Sequence, residues 1–281
     1  MSKYAVEIKD LVKNFDEFTL GPINLNIPKG TIVGYIGQNG AGKSTTIKLI
    51  LGLLQKNSGE INILGETDYS NPAIKDRLGV VFDDLYMTKE MTVIDIQKFC
   101  SRVYTKWDNE EFNQYIEKFK LPKKQKIKDF SRGMKMKLSM AIALSHEAEL
   151  LLLDEATSGL DPIVREEILE LLLDFMQDEN HTILISSHIL SDLEKVADYI
   201  AFIDSGKILM FEPKDELKEN YGICTLSNEE AYEIDEDAIV GRRKHSFGQE
   251  LLVKKDLMPG NIELQKPSIE DIMIYFVKGD K

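Results

Sequence analysis

Apolar and polar residues alternate along the chain in two distinct rhythms. "YAVEI" and "INLNI" near the N-terminus change character at every residue, the pattern of half-buried antiparallel strands, whereas "TIVGYIG", "LLLLDE" and "TILISSH" are compact apolar runs of the kind buried on both faces of a parallel sheet. Helical spacing follows the first of these runs, where "GKSTTIKLILGLL" repeats Ile47, Ile50, Leu51 and Leu54 on one face. A second helix is predicted over "LDPIVREEILELLLDFM", with Asp161 as its N-cap and Pro162 at its first position. Between Asp84 and His146 the rhythm is helical with little strand signal, which predicts a helical insertion in the order of the sheet. The core pattern ends near "FEPKDELKENYG". Beyond it the chain turns acidic, then basic at "GRRKH", and closes on "PSIEDIMIYFV", where Ser268 and Asp271 form a capping-box-like helix start. The expected fold is therefore α/β, with an N-terminal antiparallel β subdomain, a helical insertion at about 84–146, and a small α+β C-terminal appendage over 216–281.

Composition narrows the class. With 281 residues and 43% hydrophobic side chains the chain has the means to bury a substantial core. Its formal net charge of -13 argues against wholesale nucleic-acid binding, which depends on neutralising phosphates with Lys and Arg. No apolar run reaches the roughly 18–20 residues that span a bilayer, and "MSKYAVEIKD" lacks the apolar centre of a signal peptide, so a cytosolic protein is expected. Cys100 and Cys224 stand far apart without metal-ligand spacing and are expected as buried thiols. Two basic clusters, Lys118 to Lys128 and Arg242 to His245, have two open readings: a solvated surface, or contact with anionic lipid headgroups.

Candidate chemistry begins in "GQNGAGKST", which matches the phosphate-loop pattern G-x-x-x-x-G-K-[ST] between a buried strand and a helix. Backbone amides over Gly40 to Ser44, backed by the positive end of the helix, suit phosphate oxygens. Gly37, Asn39, Gly40, Ala41, Gly42, Lys43, Ser44 and Thr45 are the candidate nucleotide contacts. Lys43 is expected to reach the β and γ phosphates, and the Ser44 hydroxyl to coordinate Mg²⁺. "LLLLDEATSGLDP" supplies paired carboxylates: Asp154 at a strand end for the metal, and Glu155, turned the other way by strand alternation, to take a proton from water.

"GQNGAGKST", "FSRGM", "DEATSGLD" and "ISSH", in this order, resemble the ATP-binding cassette (ABC) family over roughly residues 3–215. The resemblance implies a P-loop NTPase fold for residues 1–215, with ATP and Mg²⁺ as ligands. It also implies a head-to-tail pairing with a second cassette, identical or related, in which Ser131 and the amide of Gly133 contact the partner's ATP. It places Phe15 against adenine, His188 at the γ-phosphate as a catalytic group beside Glu155 and Lys43, and Asp161 at the dimer interface. This sequence departs from the family pattern at three positions. Asp83 stands where a glutamine is usual and is expected to contact the metal through its carboxylate. Ala156 replaces a proline. Arg132 replaces a signature glycine, either to bring a cation to the phosphates or to face solvent.

The single cassette and the terminal "PSIEDIMIYFV" are most similar to stand-alone ATPase subunits of bacterial antibiotic and multidrug exporters. That resemblance implies coupling to separate integral membrane subunits, with the cassette peripheral on the inner face of the cell membrane. Tyr86 and Met87 in "FDDLYMTKEMTV" are then either contacts for a membrane subunit or ordinary packing residues. The competing reading is a soluble ATPase switch without a membrane partner.

Overall fold

The computed structural model describes residues 2–68, 71–245, 248–260 and 262–278. Two compact units divide the chain, Met1–Phe211 and Glu212–Lys281. The first contains β1 (Tyr4–Asn14), β2 (Thr19–Pro28), β3 (Ile32–Ile36), α1 (Lys43–Ile50), β4 (Ser58–Ile63), α2 (Pro72–Lys75), β5 (Leu78–Val81), α3 (Val93–Val103), α4 (Asn109–Lys118), α5 (Arg132–Leu144), β6 (Leu150–Asp154), α6 (Pro162–Phe175), β7 (Thr182–Ser187), α7 (Leu190–Val196), β8 (Tyr199–Asp204) and β9 (Lys207–Pro213). The division falls within β9, at 211/212, where the sequence predicts a boundary at 215/216.

One sheet is three-stranded in the order β2-β1-β4. Alternation does the work there: Ile23, Leu25 and Ile27 are buried while Asn24 and Asn26 face outward, and β1 pairs antiparallel with both neighbours. The second sheet has six strands in the order β5-β6-β7-β3-β8-β9. β3, β6 and β7 are buried at every position, and the β5/β6, β6/β7, β7/β3 and β3/β8 pairs are parallel. Parallel pairing brings the C-terminal ends of β3, β5, β6 and β7 to the same edge. There the register sets Ile36 opposite Ser187, Asp154 opposite Ser186 and Val81 opposite Leu153. This edge is where ligands bind in open α/β sheets.

Helices α3, α4 and α5 fill the interval between β5 and β6. Their attachment to the sheet depends on close approach: a Cβ on Gly79 of β5 would lie 2.2 Å from the Leu151 side chain and 2.8 Å from the Ala143 carbonyl oxygen. His146, fully buried just beyond α5, extends the joint. Its Nδ1 lies 3.0 Å from the Ile142 carbonyl and its Nε2 3.2 Å from that of Leu78, and its ring stacks on Tyr104 at 4.0 Å. A neutral ring donates to only one of these carbonyls. The two carbonyls favour the charged ring, but burial outweighs them and holds the His146 pKa below its ordinary value.

The second unit comprises α8 (Lys214–Asn220), β10 (Tyr221–Leu226), α9 (Asn228–Tyr232), β11 (Ile239–His245), β12 (Gly248–Lys254) and α10 (Ile269–Lys278). Its sheet has the order β10-β12-β11, and Cys224, Ala231, Ile234, Ala238, Leu251 and Val253 form its core. α10 starts as its sequence suggests: the Asp271 amide donates to Ser268 Oγ at 3.1 Å and the Ser268 amide to Asp271 Oδ2 at 2.9 Å. Cys100 and Cys224 are buried free thiols. Four lysines of the first basic cluster already have carboxylate neighbours: Lys118 with Asp174, Lys123 with Glu117, and Lys126 and Lys128 with Glu90. In the second cluster Arg242 pairs with Glu236, and Arg243 lies over the Tyr275 ring at 4.8 Å. Both clusters therefore carry local counter-charges, as solvated surfaces do.

His146 gives the fold a pH dependence with a definite sign. A depressed folded pKa means that its stabilising contribution is present above the unfolded value, near 6.5, and is lost as pH falls through that region toward the folded pKa. The thermal midpoint should therefore fall between pH 7.5 and 5. His146→Ala should cost about 2–4 kcal/mol at neutral pH by urea unfolding and should flatten that pH dependence.

Candidate functional site

The loop from Gly37 to Gly42 leaves the end of β3 and enters α1 through Gly42, whose φ of 115° is open to glycine but strained for other residues. The α1 N-terminus has no side-chain cap, so its amides face the loop. Lys43, buried at its base, donates from Nζ to the Gly37 carbonyl at 2.8 Å and to the Gln38 carbonyl at 3.3 Å. A turn between β8 and β9 fixes the loop from behind: the Gly206 amide donates to the Ala41 carbonyl at 3.0 Å, and the Gly21 amide to the Gly206 carbonyl at 2.7 Å. The same clamp places the β1–β2 hairpin tip, closed by the Phe15 amide on the Phe18 carbonyl at 2.8 Å, beside the loop.

Asp154 ends β6 and is buried. Its Oδ1 accepts from Ser44 Oγ at 3.0 Å and from Ser186 Oγ at 2.7 Å, which joins the ends of three neighbouring elements. A hydroxyl and a carboxylate in contact beside a helix N-terminus are hard oxygen donors. They suit Mg²⁺, which binds through one or two carboxylates and fills its other positions with phosphate and water. Ser44 and Asp154 thus fit the metal. Asp83, the third residue expected at the metal, lines the cleft together with Ser44.

Glu155 differs from expectation in how it is aimed. β6 stops at Asp154, and Glu155 has φ 54°, a left-handed conformation costly for a non-glycine residue, with its amide donating to Ser186 O and Oγ, each at 3.1 Å. A backbone turn, not strand alternation, separates the two carboxylates. Glu155 Oε1 lies 3.3 Å from Lys43 Nζ, and Oε2 lies 2.6 Å from His188 Nδ1. Three groups expected at the reaction centre are therefore one contiguous chain, with His188 arriving from the end of β7.

These groups open on a cleft of about 500 Å³, lined by Phe15, Phe18, Asn39, Gly40, Gly42, Lys43, Ser44, Thr45, Asp83, Arg132, Glu155, Ser158 and His188. Phe15 is 43% exposed and stacks on Phe18 at 6.2 Å, so it forms an aromatic wall and not core. Gly37 and Ala41 stand behind the loop and do not line the cleft. Phe18 and Ser158 were not singled out in the sequence. The spacing of "FDEF" across a tight turn carried a signal for Phe18; nothing comparable marked Ser158.

Ser131 and Gly133 lie outside the cleft at the start of α5. Ser131 caps it, accepting from the Met134 amide at 3.2 Å. A Cβ on Gly133 would meet Val164 at 3.4 Å, an ordinary contact, so packing within the chain does not require glycine there. Asp161 caps α6 through the Ile163 and Val164 amides, each at 3.1 Å, ahead of Pro162. Among the described residues no helix is long and apolar enough to cross a membrane.

The family model described as "ABC transporter" matches residues 20–158. The chain is 33% identical to the bacitracin transport ATP-binding protein BcrA of Bacillus licheniformis, over 97% of this chain and 96% of that protein. It is 38% identical to the lantibiotic transport ATP-binding protein SrtF of Streptococcus pyogenes, over 75% of this chain and 91% of that one. A solved ATP-binding subunit of an ABC transporter superposes with a TM-score of 0.69 at 26% identity, covering 76% of this chain and 92% of that structure.

Removing the Lys43 amine deletes charge-assisted contacts at the base of the loop. Lys43→Ala should weaken binding of a fluorescent ATP analogue about 10- to 100-fold, measured by equilibrium titration on protein whose circular dichroism is unchanged.

Proposed function

The chain belongs to the ABC transporter family as one of its ATP-hydrolysing cassettes, and from that premise we propose that it powers export through separate integral membrane subunits by pairing with a second cassette around ATP. The observation that carries the reading is the contact chain from Lys43 through Glu155 to His188, set in a cleft that Ser44 also lines, with Asp154 bonded behind it.

Phe15 and Phe18 offer a face for the base, and the loop amides with Lys43 hold the phosphates. Ser44 and Asp154 would hold Mg²⁺, which when bound would neutralise developing charge on the phosphate oxygens. An incoming γ-phosphate competes with Glu155 for the Lys43 amine. As Lys43 turns to phosphate, one Glu155 oxygen is freed while His188 keeps the other fixed. Glu155 then accepts a proton from the water whose oxygen attacks the γ-phosphorus. The bond from that phosphorus to the bridging oxygen breaks, and ADP leaves with the bonding electron pair. His188 is a positioning and proton-holding group in this step.

The second cassette follows from the signature helix. Ser131 is exposed, and Gly133 is bare without an internal reason, which suits close approach of another molecule's phosphate to the α5 N-terminus. The membrane subunits have a matching surface. Leu53, Tyr86 and Val103 are 61%, 74% and 54% exposed; Leu53 and Val103 border an apolar cavity of about 430 Å³, and Tyr86 packs edge-on against Phe82 at its rim. Exposed apolar side chains around a preformed recess favour a docking site over the soluble-switch reading. The names of BcrA and SrtF support antimicrobial peptides such as bacitracin or lantibiotics as the class of cargo.

Glu155→Gln should lower ATP turnover by roughly 10² to 10⁴ while leaving ATP affinity within a few-fold, and at saturating Mg-ATP it should accumulate as a dimer by light scattering. Turnover close to that of the unsubstituted protein would remove Glu155 from the role. A strictly monomeric state, alone and with its membrane subunits, would remove the pairing.

A further inference from the structure

Ser186 has no part in the scheme above, yet its hydroxyl bonds both acidic residues of the site, Asp154 through its carboxylate and Glu155 through its amide. It is fully buried near the end of β7 and does not line the cleft. A hydroxyl in a buried strand is costly unless it is bonded. The two serines of this strand divide the task. Ser187, on the opposite face by strand alternation, accepts the Ile189 amide at 2.9 Å and so closes the turn that carries His188.

A serine hydroxyl has one proton to give and lone pairs with which to accept. Ser186 donates to Asp154 Oδ1 at 2.7 Å and accepts the Glu155 N–H at 3.1 Å. Since Ser186 stands opposite Asp154 in the parallel register, one oxygen atom relates the side chain of the first acid to the backbone of the second. Ser44 donates to the same Oδ1, which leaves Asp154 Oδ2 without a hydrogen-bond partner among the described residues. Ser44 alone would be a poor anchor. It lines the cleft, and its oxygen is the one offered to Mg²⁺, so its hydroxyl turns with the ligand. Ser186 stands behind the cleft, and its bond to Asp154 persists whichever way Ser44 turns.

We propose that Ser186 is a positioning residue for ATP hydrolysis. It holds Oδ1 so that Oδ2 stays open to the metal, and it steadies the Glu155 amide so that the left-handed turn aims the Glu155 carboxylate at Lys43 and His188. Without the hydroxyl, the Glu155 amide keeps its bond to the Ser186 carbonyl, also at 3.1 Å, so the chain path survives while the aim loosens. Ser186 itself meets neither nucleotide nor metal. This deepens the cassette reading and rests on it.

The test uses the full chain with Ser186→Ala, and with Ser186→Thr and Ser186→Val, which differ from each other by a hydroxyl against a methyl. Its readouts are turnover, the KM for ATP at saturating Mg²⁺, and binding of methylanthraniloyl-labelled β,γ-imido ATP, titrated with Mg²⁺ and repeated in EDTA. Ser186→Ala should lower kcat about 10- to 100-fold with KM within a few-fold, raise the half-saturating Mg²⁺ about tenfold, and leave binding in EDTA unchanged. Ser186→Thr should stay within about threefold of the unsubstituted protein, and Ser186→Val should behave as Ser186→Ala. In a Glu155→Gln background, Ser186→Ala should cost little further turnover while still raising the Mg²⁺ requirement. Equal behaviour of the Thr and Val variants overturns the proposal, as does a loss of binding in EDTA, which marks a role in folding alone. Fully additive turnover losses overturn the link to Glu155. Glu155→Gln keeps the two levels apart: if it abolishes turnover while Ser186→Ala does not lower it, only Ser186 falls; if it leaves turnover intact, the cassette reading falls and Ser186 with it.

Discussion

The Asp154 carboxylate is the constraint on which the cleft is organised. A carboxylate buried at a strand end is costly unless it is hydrogen-bonded, and here one oxygen accepts two hydroxyls, Ser44 from the start of α1 and Ser186 from the end of β7. These bonds fix the phosphate loop, the acidic strand and the histidine strand at one level of the sheet edge. The turn at Glu155 follows from the same joint, because Ser186 also receives the Glu155 amide. The strained backbone there is compensated by the bonds that impose it, and it directs the second carboxylate to Lys43 and His188 while the first stays buried.

A second joint lies at the opposite end of α5. Gly79 admits the helix to β5, and His146 binds its last turn to the Leu78 carbonyl, so α5 and β5 shift together or not at all. Beyond β5 the chain reaches Asp83 and Asp84; at the other end of α5 stand Ser131, Arg132 and Gly133. Buried packing at one end thus supports charged contacts at the other, and a disturbance at the cleft has a stiff element along which to travel. α6 and α7 are tied in a similar way: Arg165 donates to the Leu160 carbonyl and lies 3.8 Å from the buried Asp192, which links the loop after Glu155 to the helix after His188.

The parts of this arrangement legible in the sequence were those with a local signature. The buried runs of β3, β6 and β7, the caps at Asp161 and Ser268, and the phosphate loop each declare themselves within a few residues, because strand burial, capping and phosphate binding impose spacing over that range. β4 and β8 were not foreseen: "SGEINI" is short and half polar, and "YIAFID" follows a helix without a turn residue that separates them clearly. α8 and α9, at seven and five residues, are too brief to establish a period. In the site, Lys43, Ser44, Asp154, Glu155 and His188 were each foreseen. The left-handed turn at Glu155 was not, since propensity gives no reason to place a glutamate there and tertiary bonds alone hold it. Arg132 was left open between phosphate and solvent because its direction is set by Gly159, a residue far away in sequence.

The overall charge and the charge of the cleft pull in opposite directions. At a formal -13 the chain repels a nucleotide polyanion at long range, but ordinary salt screens exposed charges over about 8 Å, so that repulsion acts on approach and little on the bound state. Within the cleft the local balance governs. Lys43, Arg132 and the α1 amides face Glu155 and Asp83, while Asp154 is held behind Ser44. Glu155 is already paired with Lys43, so among the described residues Asp83 is the acidic residue of the cleft lining that has no counter-charge of its own. A carboxylate in the cleft lining weighs more on an anion held there than many distant ones on the surface, since Coulomb energy rises as both separation and effective dielectric fall. For this reason an acidic protein can hold ATP, and the two positions where this cleft departs from the family pattern carry opposite charges.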